Sequence, residues 1–223
     1  ELLLEGKAAE GLEKGEKMAE SIKDKVAIVG MGCTKFGEIW DKSGDDLIVD
    51  AAYEAFEDAG IEPKDIQAAW LGTMGENSGL HLASALQTQY IPVTRVENAC
   101  GTGTETIRNA AFAVAAGVYD LALAVGVEKL KDRGYPGLPT FTYAKKWHPV
   151  IGAIRSAPGQ YAMSATSYFA RYGLSPEEGK RTLAKISVKS HYNGARNPRA
   201  HLRREVTVEQ VMNAPIIAWP LGL

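Results

Sequence analysis

The sequence predicts an α/β protein in which helices cover both faces of a mostly parallel sheet. Three observations support this fold class. Short apolar runs that end at glycine or turn residues recur through the first half of the chain, as buried strands do. Segments with helical periodicity separate these runs, which is the spacing of parallel strands joined by crossover helices. Hydrophobic residues make up 45% of the 223 positions and charged residues 23%, which is ordinary for a globular domain.

The first strand is predicted at residues 26–30, "VAIVG", and the first helix follows it. Ser43 can cap the N-terminus of this helix, acidic residues fill its first turn, and Gly60 can end it. Four small or apolar side chains line one face of the helix at helical spacing. They are Leu47, Ala51, Ala55 and Ala59.

Strands and helices then alternate. Glycine, proline and asparagine mark the boundaries between them, and Gly117 is expected to end the alanine-rich helix. The predicted segments are a strand at residues 68–71, a helix at 79–90, a strand at 91–98, a helix at 101–116 and a strand at 120–128.

The composition changes beyond the last of these strands. Residues 131–159 contain many glycines and prolines without periodicity, which predicts a long loop of the kind that tends to be functional or mobile. A helix that ends at Gly173 follows. The next helix has a complete start signal, with Ser175 as N-cap, a proline at the first helical position and Glu178 completing a capping box. A turn and a short helix are expected within residues 197–215.

The charge balance argues against two classes of partner. A net charge of −2 and an isoelectric point near 6.2 do not indicate binding to nucleic acid or to an anionic membrane. Basic residues do gather at residues 189–205, which form either a solvated loop or a site for a phosphate-bearing ligand. No apolar run reaches the roughly 18 residues that would span a bilayer.

The cysteine usage and the start of the chain predict a cytoplasmic protein. Cys33 and Cys100 are too far apart in sequence to suggest a metal-ligand pair or a disulfide framework, so a reducing compartment and no metal site are expected. The first residues lack the apolar core of a secretion signal. Residues 1–17, which precede Met18, are interpreted as an extension outside the fold.

Cys100 is the candidate nucleophile, since it lies between a predicted strand and a helix of small residues. Unpaired N–H groups at a helix N-terminus carry about half a positive charge, which favours a thiolate. Gly101 and Gly103 lack a Cβ, so a substrate carbonyl could approach N–H donors that would hold an oxyanion. Such a turn suits acyl transfer through a thioester. The alternative is an inert core cysteine, because free cysteine packs like a small hydrophobe.

The other candidate site residues carry weaker signals. Cys33 is expected to be a packed turn residue, because the glycines around it do not complete a dinucleotide-binding fingerprint. A nucleophilic cysteine needs a base, yet none of the four histidines lies in a recognisable catalytic motif. His191 and His201 are expected to be solvated in the basic stretch. His148 is the histidine that the long loop would place in a lid.

Residues 26–223 resemble the thiolase superfamily, and within it the acetyl-CoA acetyltransferases of the sterol-carrier-protein-x type. Four stretches carry this resemblance in order along the chain. They are "VAIVGMGCTKFG" from Val26, "DAGIEPKDI" from Asp58, "VENACGTGTETIRNAAFAVAAGVYDLALAVGVEKL" around Cys100, and residues 161–223. The resemblance implies a layered thiolase-like fold with a largely helical loop domain.

The resemblance also implies the chemistry and the domain layout. Cys100 would take up the acyl group of a 3-oxoacyl-CoA, coenzyme A would be a substrate, and no cofactor would be permanently bound. Residues 129–213 would form the thiolase loop domain, which covers the active site and helps to hold coenzyme A. The expected layout is an extension at residues 1–25, an N-terminal thiolase half at 26–128, and the loop domain with its return to the core at 129–223.

Thiolases contain two similar halves, and only the first resembles this chain. The histidine that activates the nucleophile and the second cysteine that acts as acid and base would lie beyond Leu223. Three accounts fit: a truncated sequence, which is favoured because the helices and the loop domain look intact, a split enzyme, or a degenerate paralogue.

A narrower resemblance predicts the partners. "GMGCTKFGE", "GVEKLKDRGYPGLP" and "SVKSHYNGARNPRAHLR" look like bacterial thiolases that act with a small zinc-ribbon/OB-fold acyl-CoA-binding subunit, among them a benzoylsuccinyl-CoA thiolase. This resemblance implies a hetero-oligomer around a thiolase homodimer. In thiolases the third strand pairs across the dimer axis, and residues 91–98 occupy that position.

Three functions are therefore open. The first is an acyl-CoA C-acyltransferase that cleaves or condenses 3-oxoacyl-CoA, with benzoylsuccinyl-CoA or a related aromatic or fatty acyl-CoA as the substrate. The second is a thiolase-fold carbon–carbon lyase, such as a retro-aldolase. The third is a non-catalytic scaffold subunit that dimerises and supports a partner.

Overall fold

A computed structural model describes residues 21–75, 78–133 and 156–223. The predictions for residues 1–17, for most of the long loop and for His148 therefore lie outside the described residues. The described chain forms two compact units. The first contains the segment that ends at Cys33 together with Lys42–Glu128, and the second contains Thr34–Asp41 and Lys129–Leu223.

The first unit is built on a parallel sheet of three strands. They are β1 (Ala68–Gly72), β2 (Val93–Val96) and β3 (Ala122–Gly126). Their order is β2-β1-β3, so β1 is central and each of the others has one free edge among the described residues. Because all pairs are parallel, the carboxyl ends of the three strands meet at the same edge of the sheet. The predicted strands at 68–71, 91–98 and 120–128 are confirmed; β1 extends one residue further than predicted, and β2 and β3 are shorter than predicted.

Helices lie on both faces of this sheet, which confirms the predicted fold class. They are α1 (Gly44–Ala59), α2 (Leu80–Leu86) and α3 (Thr102–Ala115). The apolar core joins α1 and α2 to the sheet face that carries Ala69 and Leu71. Gly72, whose position alternates with Leu71, packs against α3 on the opposite face.

The predicted ends of α1 are confirmed. The Ser43 side chain accepts the Asp46 N–H, the Asp46 side chain reaches back to the Ser43 N–H, and both belong to one capping box. Gly60 ends the helix in the left-handed conformation, with φ of 69°. The side chains that α1 buries in the core are Ile48, Ala52 and Phe56.

The alanine face of α1 has a different role from the apolar core. Gly30 and Gly32 lie so close to this face that a Cβ on either glycine would collide with the backbone of Ala55 or Ala51. The small side chains therefore permit a close approach of an extended backbone to the helix. The stripe recognised in the sequence is thus a packing surface for residues 30–32.

The strand predicted at residues 26–30 is wrong. These residues form no strand, and the side chain of Ile28 is 73% exposed. A strand needs a neighbour to satisfy its backbone groups, and no strand in the described part of the chain pairs with this segment. Further along, the Met31 and Cys33 N–H groups donate instead to the carboxylates of Asp58 and Glu54 on α1, at 2.9 and 3.0 Å.

The second unit contains helices and a small hairpin. Its elements are α4 (Ala157–Tyr172), α5 (Pro176–Arg196), α6 (Val208–Met212), β4 (Ile216–Ala218) and β5 (Leu221–Gly222). Gly173 ends α4 with φ of 65°, and Ser175 and Glu178 form the predicted capping box of α5. The antiparallel β4–β5 hairpin has no counterpart among the sequence predictions. No helix in the described ranges is long and apolar enough to cross a bilayer.

Thr34–Asp41, here called the strap, is separated in sequence from the rest of the second unit. The Phe36 N–H donates to the Arg199 carbonyl at 2.9 Å, and Lys129 Nζ donates to the Ile39 carbonyl at 2.8 Å. Lys131 and Glu38 form an ion pair at 3.0 Å. The chain therefore crosses between the two units three times, after Cys33, after Asp41 and after Glu128.

Candidate active site

The candidate site lies where the three parallel strands end. In open α/β sheets, ligands bind in the crevice outside the carboxyl ends of the strands. Cys100 follows β2 by four residues and is exposed. The structure thus places this thiol at the edge of the sheet where the general rule predicts a ligand, and the core-cysteine alternative does not fit its exposure.

The connection from β2 to α3 is a tight turn. Ala99–Gly101 form one turn of 3-10 helix, and α3 begins at Thr102. Ala99 has φ of +47°, which is left-handed and uncommon for a residue with a Cβ. Cys100 is therefore presented directly after a backbone reversal, at the positive end of the α3 dipole.

Side chains on both sides of the turn hold it. The Glu97 carboxylate accepts the Ala99 N–H at 2.6 Å. Thr102 Oγ1 accepts the Asn98 N–H at 2.8 Å and donates to the Ala99 carbonyl at 2.6 Å. The Gly101 N–H donates to the Asn98 carbonyl at 2.9 Å. These bonds satisfy the backbone groups that the left-handed residue would otherwise leave without partners.

The first turns of α3 are fixed against β1. Thr106 is 2% exposed, and its Oγ1 donates to the Thr102 carbonyl at 2.8 Å. A Cβ at Gly72 would collide with Thr106 Oγ1 and lie 3.1 Å from Thr102 Cγ2. The absence of a side chain at Gly72 therefore lets the N-terminus of α3 sit directly on the end of the central strand.

The space over the glycines after Cys100 is open within the described chain. A Cβ added at Gly103 would meet nothing within 4 Å, and one at Gly101 would meet only Asn98 Nδ2 at 3.9 Å. The fold itself therefore does not require glycine at either position. This agrees with the expectation that the two glycines leave room for an incoming group.

The residues that follow β1 and β3 lie at the same edge of the sheet as Cys100. Arg95 Nε donates to the Thr73 carbonyl at 3.1 Å, and the Gly75 N–H donates to Thr73 Oγ1 at 2.9 Å. The Glu128 carboxylate accepts the Met74 N–H. These bonds tie the loop after β1 to the strands on either side of it.

One carboxylate in the first turns of α3 has a shifted pKa. Hydrogen bonds from Arg108 and then Asn109 hold the pKa of Glu105 below its ordinary value. Glu105 therefore stays ionised and paired with Arg108 along the helix surface. Acidic groups near a helix N-terminus also interact favourably with the helix dipole.

The remaining predicted residues lie elsewhere. Cys33 is exposed, so its prediction as a packed turn residue is wrong: its backbone N–H donates to the carboxylate of Glu54 on α1, and its side chain is not packed in the core. His81 Nδ1 lies 3.7 Å from Asp45 of α1. His191 Nδ1 lies 2.9 Å from the Arg204 carbonyl in the second unit. His201 is exposed, as predicted.

Sequence reasoning missed the residues that shape the turn. Glu97, Thr102 and Thr106 were not singled out, although a threonine pair four residues apart at the start of a helix is a readable signal for hydroxyl bonds to the preceding turn. No group of three or more His, Cys, Asp or Glu side chains in the described ranges is placed to hold a metal ion.

The parallel sheet with helices on both faces makes this an α/β protein, and Cys100 is exposed between a strand and a helix. Comparison with known proteins shows the family. The family model "Thiolase, N-terminal domain" matches residues 26–215. The chain therefore belongs to the thiolase family, which confirms the resemblance.

Named relatives and solved structures agree with this assignment. The chain is 40% identical over 208 residues to an acetyl-CoA acetyltransferase of Methanothermobacter thermautotrophicus, covering 89% of this chain and 52% of that protein. It is 33% identical over 206 residues to the benzoylsuccinyl-CoA thiolase subunit BbsB of Thauera aromatica, covering 91% of this chain and 52% of the relative. The chain thus spans about half the length of the curated relatives it matches.

Two solved structures share the fold. The Ltp2-ChsH2(DUF35) aldolase matches with a TM-score of 0.72 and 26% identity, covering 88% of this chain and 50% of that one. A monomeric SCP2-thiolase-like protein of Mycobacterium smegmatis matches with a TM-score of 0.68 and 18% identity, covering 87% and 41%. At 18% identity the second comparison shows the fold alone.

Proposed function

We propose that the protein is an acyl-CoA C-acyltransferase in which Cys100 is the nucleophile. The observation that carries the proposal is the exposed Cys100 thiol at the start of α3, beside the carboxyl ends of the strands. The similarity to acetyl-CoA acetyltransferases supports the reaction class. Coenzyme A and an acyl-CoA are then the substrates, and no permanently bound cofactor takes part.

The proposed reaction has two covalent steps. The Cys100 sulfur attacks the 3-oxo carbon of a 3-oxoacyl-CoA, the bond between carbons 2 and 3 breaks, and protonation of carbon 2 releases the CoA ester that contains carbons 1 and 2. This ester is acetyl-CoA when carbon 2 is unsubstituted and succinyl-CoA when the substrate is benzoylsuccinyl-CoA. The thiol of coenzyme A then attacks the Cys100 thioester, which releases the shortened acyl-CoA and returns the cysteine. Condensation is the reverse sequence. The resemblance assigns proton transfer to a histidine and a second cysteine, which it places beyond Leu223, so neither belongs to the turn at Cys100.

The turn at Cys100 would contribute in two ways. The α3 dipole favours the negative charge that develops on the carbonyl oxygen. The open space over Gly101 and Gly103 allows that oxygen to approach backbone N–H groups. Residues 129–213 are proposed to act as the loop domain that helps to hold coenzyme A.

Benzoylsuccinyl-CoA or a related aromatic or fatty acyl-CoA is the proposed substrate class. The 33% identity to the subunit BbsB supports this proposal. Because BbsB is named as a subunit, we also propose a hetero-oligomer with a small acyl-CoA-binding subunit. The edge of β2 that has no neighbouring strand in the described part of the chain is the proposed surface for a homodimer, since an edge strand offers unpaired backbone groups.

A carbon–carbon lyase is the second candidate. The similarity to the Ltp2-ChsH2 aldolase favours it. A retro-aldol cleavage would release an aldehyde or ketone without consuming coenzyme A, and it would not need a thioester on Cys100. A non-catalytic scaffold subunit is the outcome if neither activity is found.

The test uses the protein purified from its source with the polypeptides that accompany it. Thiolysis of acetoacetyl-CoA and of benzoylsuccinyl-CoA is followed by acyl-CoA chromatography, and the acyl-enzyme is trapped for peptide mass spectrometry. Cys100→Ser should abolish thiolysis and acyl labelling, whereas Cys33→Ser, the matched control, should retain both. Full activity in Cys100→Ser would overturn the proposal, and ketone release without coenzyme A consumption would establish the lyase.

A further inference from the structure

Ala99 adopts a backbone conformation that needs an external constraint. Its φ of +47° places the Cβ against the following carbonyl, which costs free energy for every residue except glycine. Such residues persist only where the surroundings determine them, and they concentrate at functional sites. Ala99 directly precedes the proposed nucleophile, so whatever holds Ala99 also decides where the Cys100 thiol points.

The Glu97 side chain supplies one part of that constraint. Its carboxylate accepts the Ala99 N–H at 2.6 Å, and a hydrogen bond to an ionised acceptor is stronger than one between neutral groups. On the other side of the turn, Thr102 holds the Asn98 N–H and the Ala99 carbonyl. The left-handed residue is therefore clamped from the strand side by Glu97 and from the helix side by Thr102.

We propose that Glu97 is a positioning residue for Cys100. It acts by stabilising the left-handed conformation of Ala99, which presents the thiol at the N-terminus of α3. This inference rests on the proposed function, because it presumes that Cys100 is the reactive group. Glu97 itself takes no part in bond making or breaking.

The proposal makes a specific prediction about substitutions at residue 99. If Glu97 works through the Ala99 conformation, glycine at position 99 makes Glu97 dispensable, because glycine adopts positive φ without steric cost. If Glu97 instead acts on the thiol directly, as a base or as a nearby charge, glycine at position 99 changes nothing. Removing Glu97 alone and in combination with Ala99→Gly separates these two modes.

The experiment measures the rate of iodoacetamide alkylation of the full protein, with peptide mass spectrometry reading Cys100 and Cys33 separately. In the unmodified protein Cys100 should react faster than Cys33, which serves as the internal reference. Glu97→Ala should slow Cys100 by roughly ten- to a hundredfold, the range that corresponds to one lost charge-assisted hydrogen bond. Glu97→Gln, which keeps an acceptor oxygen but loses the charge, should react at a rate between those of the unmodified protein and Glu97→Ala, and the double variant Glu97→Ala/Ala99→Gly should recover the unmodified rate.

Controls separate the possible failures. Glu105→Gln removes a carboxylate from the first turns of α3 without touching the turn at Ala99, and it should leave the Cys100 rate unchanged. Equal slowing by Glu105→Gln and Glu97→Ala would overturn the inference in favour of a general charge effect. A fast Cys100 in Glu97→Ala, or a double variant as slow as Glu97→Ala, would also overturn it. If Cys100 reacts no faster than Cys33 in the unmodified protein, the result contradicts the proposed function itself, whatever the effect of the Glu97 variants.

Thermal melting followed by circular dichroism shows whether each variant is folded. Should Glu97→Ala fail to fold, Glu97→Gln is compared with Glu97→Met, which has a similar length and no acceptor oxygen. A Glu97→Met protein that is slow, and that recovers with Ala99→Gly, supports the positioning role. One that keeps the unmodified rate contradicts it.

Discussion

At the scale of single residues, two glycines that are paired on neighbouring strands of the sheet have different surroundings. Gly72 of β1 is paired with Gly126 of β3 in the strand register. A Cβ at Gly72 would collide with Thr106 Oγ1, whereas a Cβ at Gly126 would find only the Gly72 carbonyl, at 3.7 Å. The position of α3, and with it that of Cys100, depends on the first glycine and not on the second.

Gly72→Ala should lower the free energy of unfolding by about 1–3 kcal/mol, the usual cost of forcing a group into a packed contact. Gly126→Ala is the matched control and should be tolerated, since its new methyl group meets only ordinary van der Waals contact. Urea unfolding followed by circular dichroism measures both. Equal stability of the two variants would contradict the packing described for α3.

Gly103→Ala should have the opposite effect on stability. Gly103 lies within α3, its surroundings are open, and alanine favours helix over glycine by about 0.5–1 kcal/mol. Under the proposed function the added methyl group would crowd the acyl group, so thiolysis should fall while the melting temperature rises. A rise in both quantities would show that the space over Gly103 is not used by the substrate.

The position of Cys100 could be predicted from sequence, and the shape of its turn could not. A cysteine between an apolar run and a glycine-flanked alanine-rich helix predicts a thiol at a helix N-terminus, and the structure places it there. The left-handed conformation of Ala99 gives no such signal, because alanine ordinarily avoids it. The role proposed for Glu97 follows only from that conformation, so the sequence does not predict it.

At the scale of secondary structure elements, capping groups decide where the helices begin. The Ser175 side chain accepts the Glu178 N–H at 3.3 Å, and the Glu178 carboxylate accepts from the Ser175 N–H at 2.9 Å. Hydrogen bonds from the Ser175 side chain, and then from its backbone, hold the pKa of Glu178 below its ordinary value of 4.5. The carboxylate form of Glu178 is thus favoured in the folded state.

Ser175→Ala should lower the free energy of unfolding by about 1 kcal/mol, because an N-cap hydroxyl is lost. Ser164→Ala is the control: that serine is exposed on α4, and its hydroxyl only bonds back to Gln160 within the same helix. Denaturant unfolding at neutral pH measures both variants. A larger loss in Ser164→Ala than in Ser175→Ala would be incompatible with the capping role.

The same capping box predicts a pH dependence. Since the folded pKa of Glu178 lies below the unfolded pKa, its stabilisation is present above the unfolded pKa and is lost as the pH falls through the folded one. Glu178→Gln should therefore reduce the loss of stability on acidification below pH 4.5. Unfolding curves of both proteins across that range measure the difference. Identical acid slopes would rule out this contribution.

Local signals predicted most of the elements, and non-local pairing explains the errors. The N-cap at Ser43, the capping box at Ser175 and the terminal glycines of α1 and α4 are encoded within a few residues, so the sequence predicts them. The apolar run at residues 26–30 has the composition of a strand, but composition does not supply a neighbour. The β4–β5 hairpin was missed because each of its strands is only two or three residues long.

At the scale of the whole molecule, the chain does not divide into two consecutive pieces. The strap, Thr34–Asp41, leaves the first unit and bonds to residues of the second that lie far along the sequence. Lys129 holds it from a position where its side chain is 14% exposed, whereas Lys131 is 53% exposed. Ion pairs at exposed positions contribute little, so most of the electrostatic attachment should come from Lys129.

Lys129→Met should loosen the strap, because the Ile39 carbonyl loses its charged donor. Hydrogen exchange of the strap amides, read by mass spectrometry on the peptide that contains Phe36, should accelerate about tenfold. Lys131→Met removes an exposed ion pair and should leave the exchange close to that of the unmodified protein. Similar acceleration in both variants would show that the two lysines are equivalent.

The strap also has a consequence for the order in which the protein folds during synthesis. Ile39 leaves the ribosome 90 residues before Lys129, the donor that fixes its carbonyl. At about 5–20 residues per second, the strap must wait roughly 5 to 20 seconds for that partner, and longer for Arg199. During this interval the strap carbonyl of Ile39 and the N–H of Phe36 lack their native hydrogen-bond partners, so the strap should reach its folded conformation only late in synthesis.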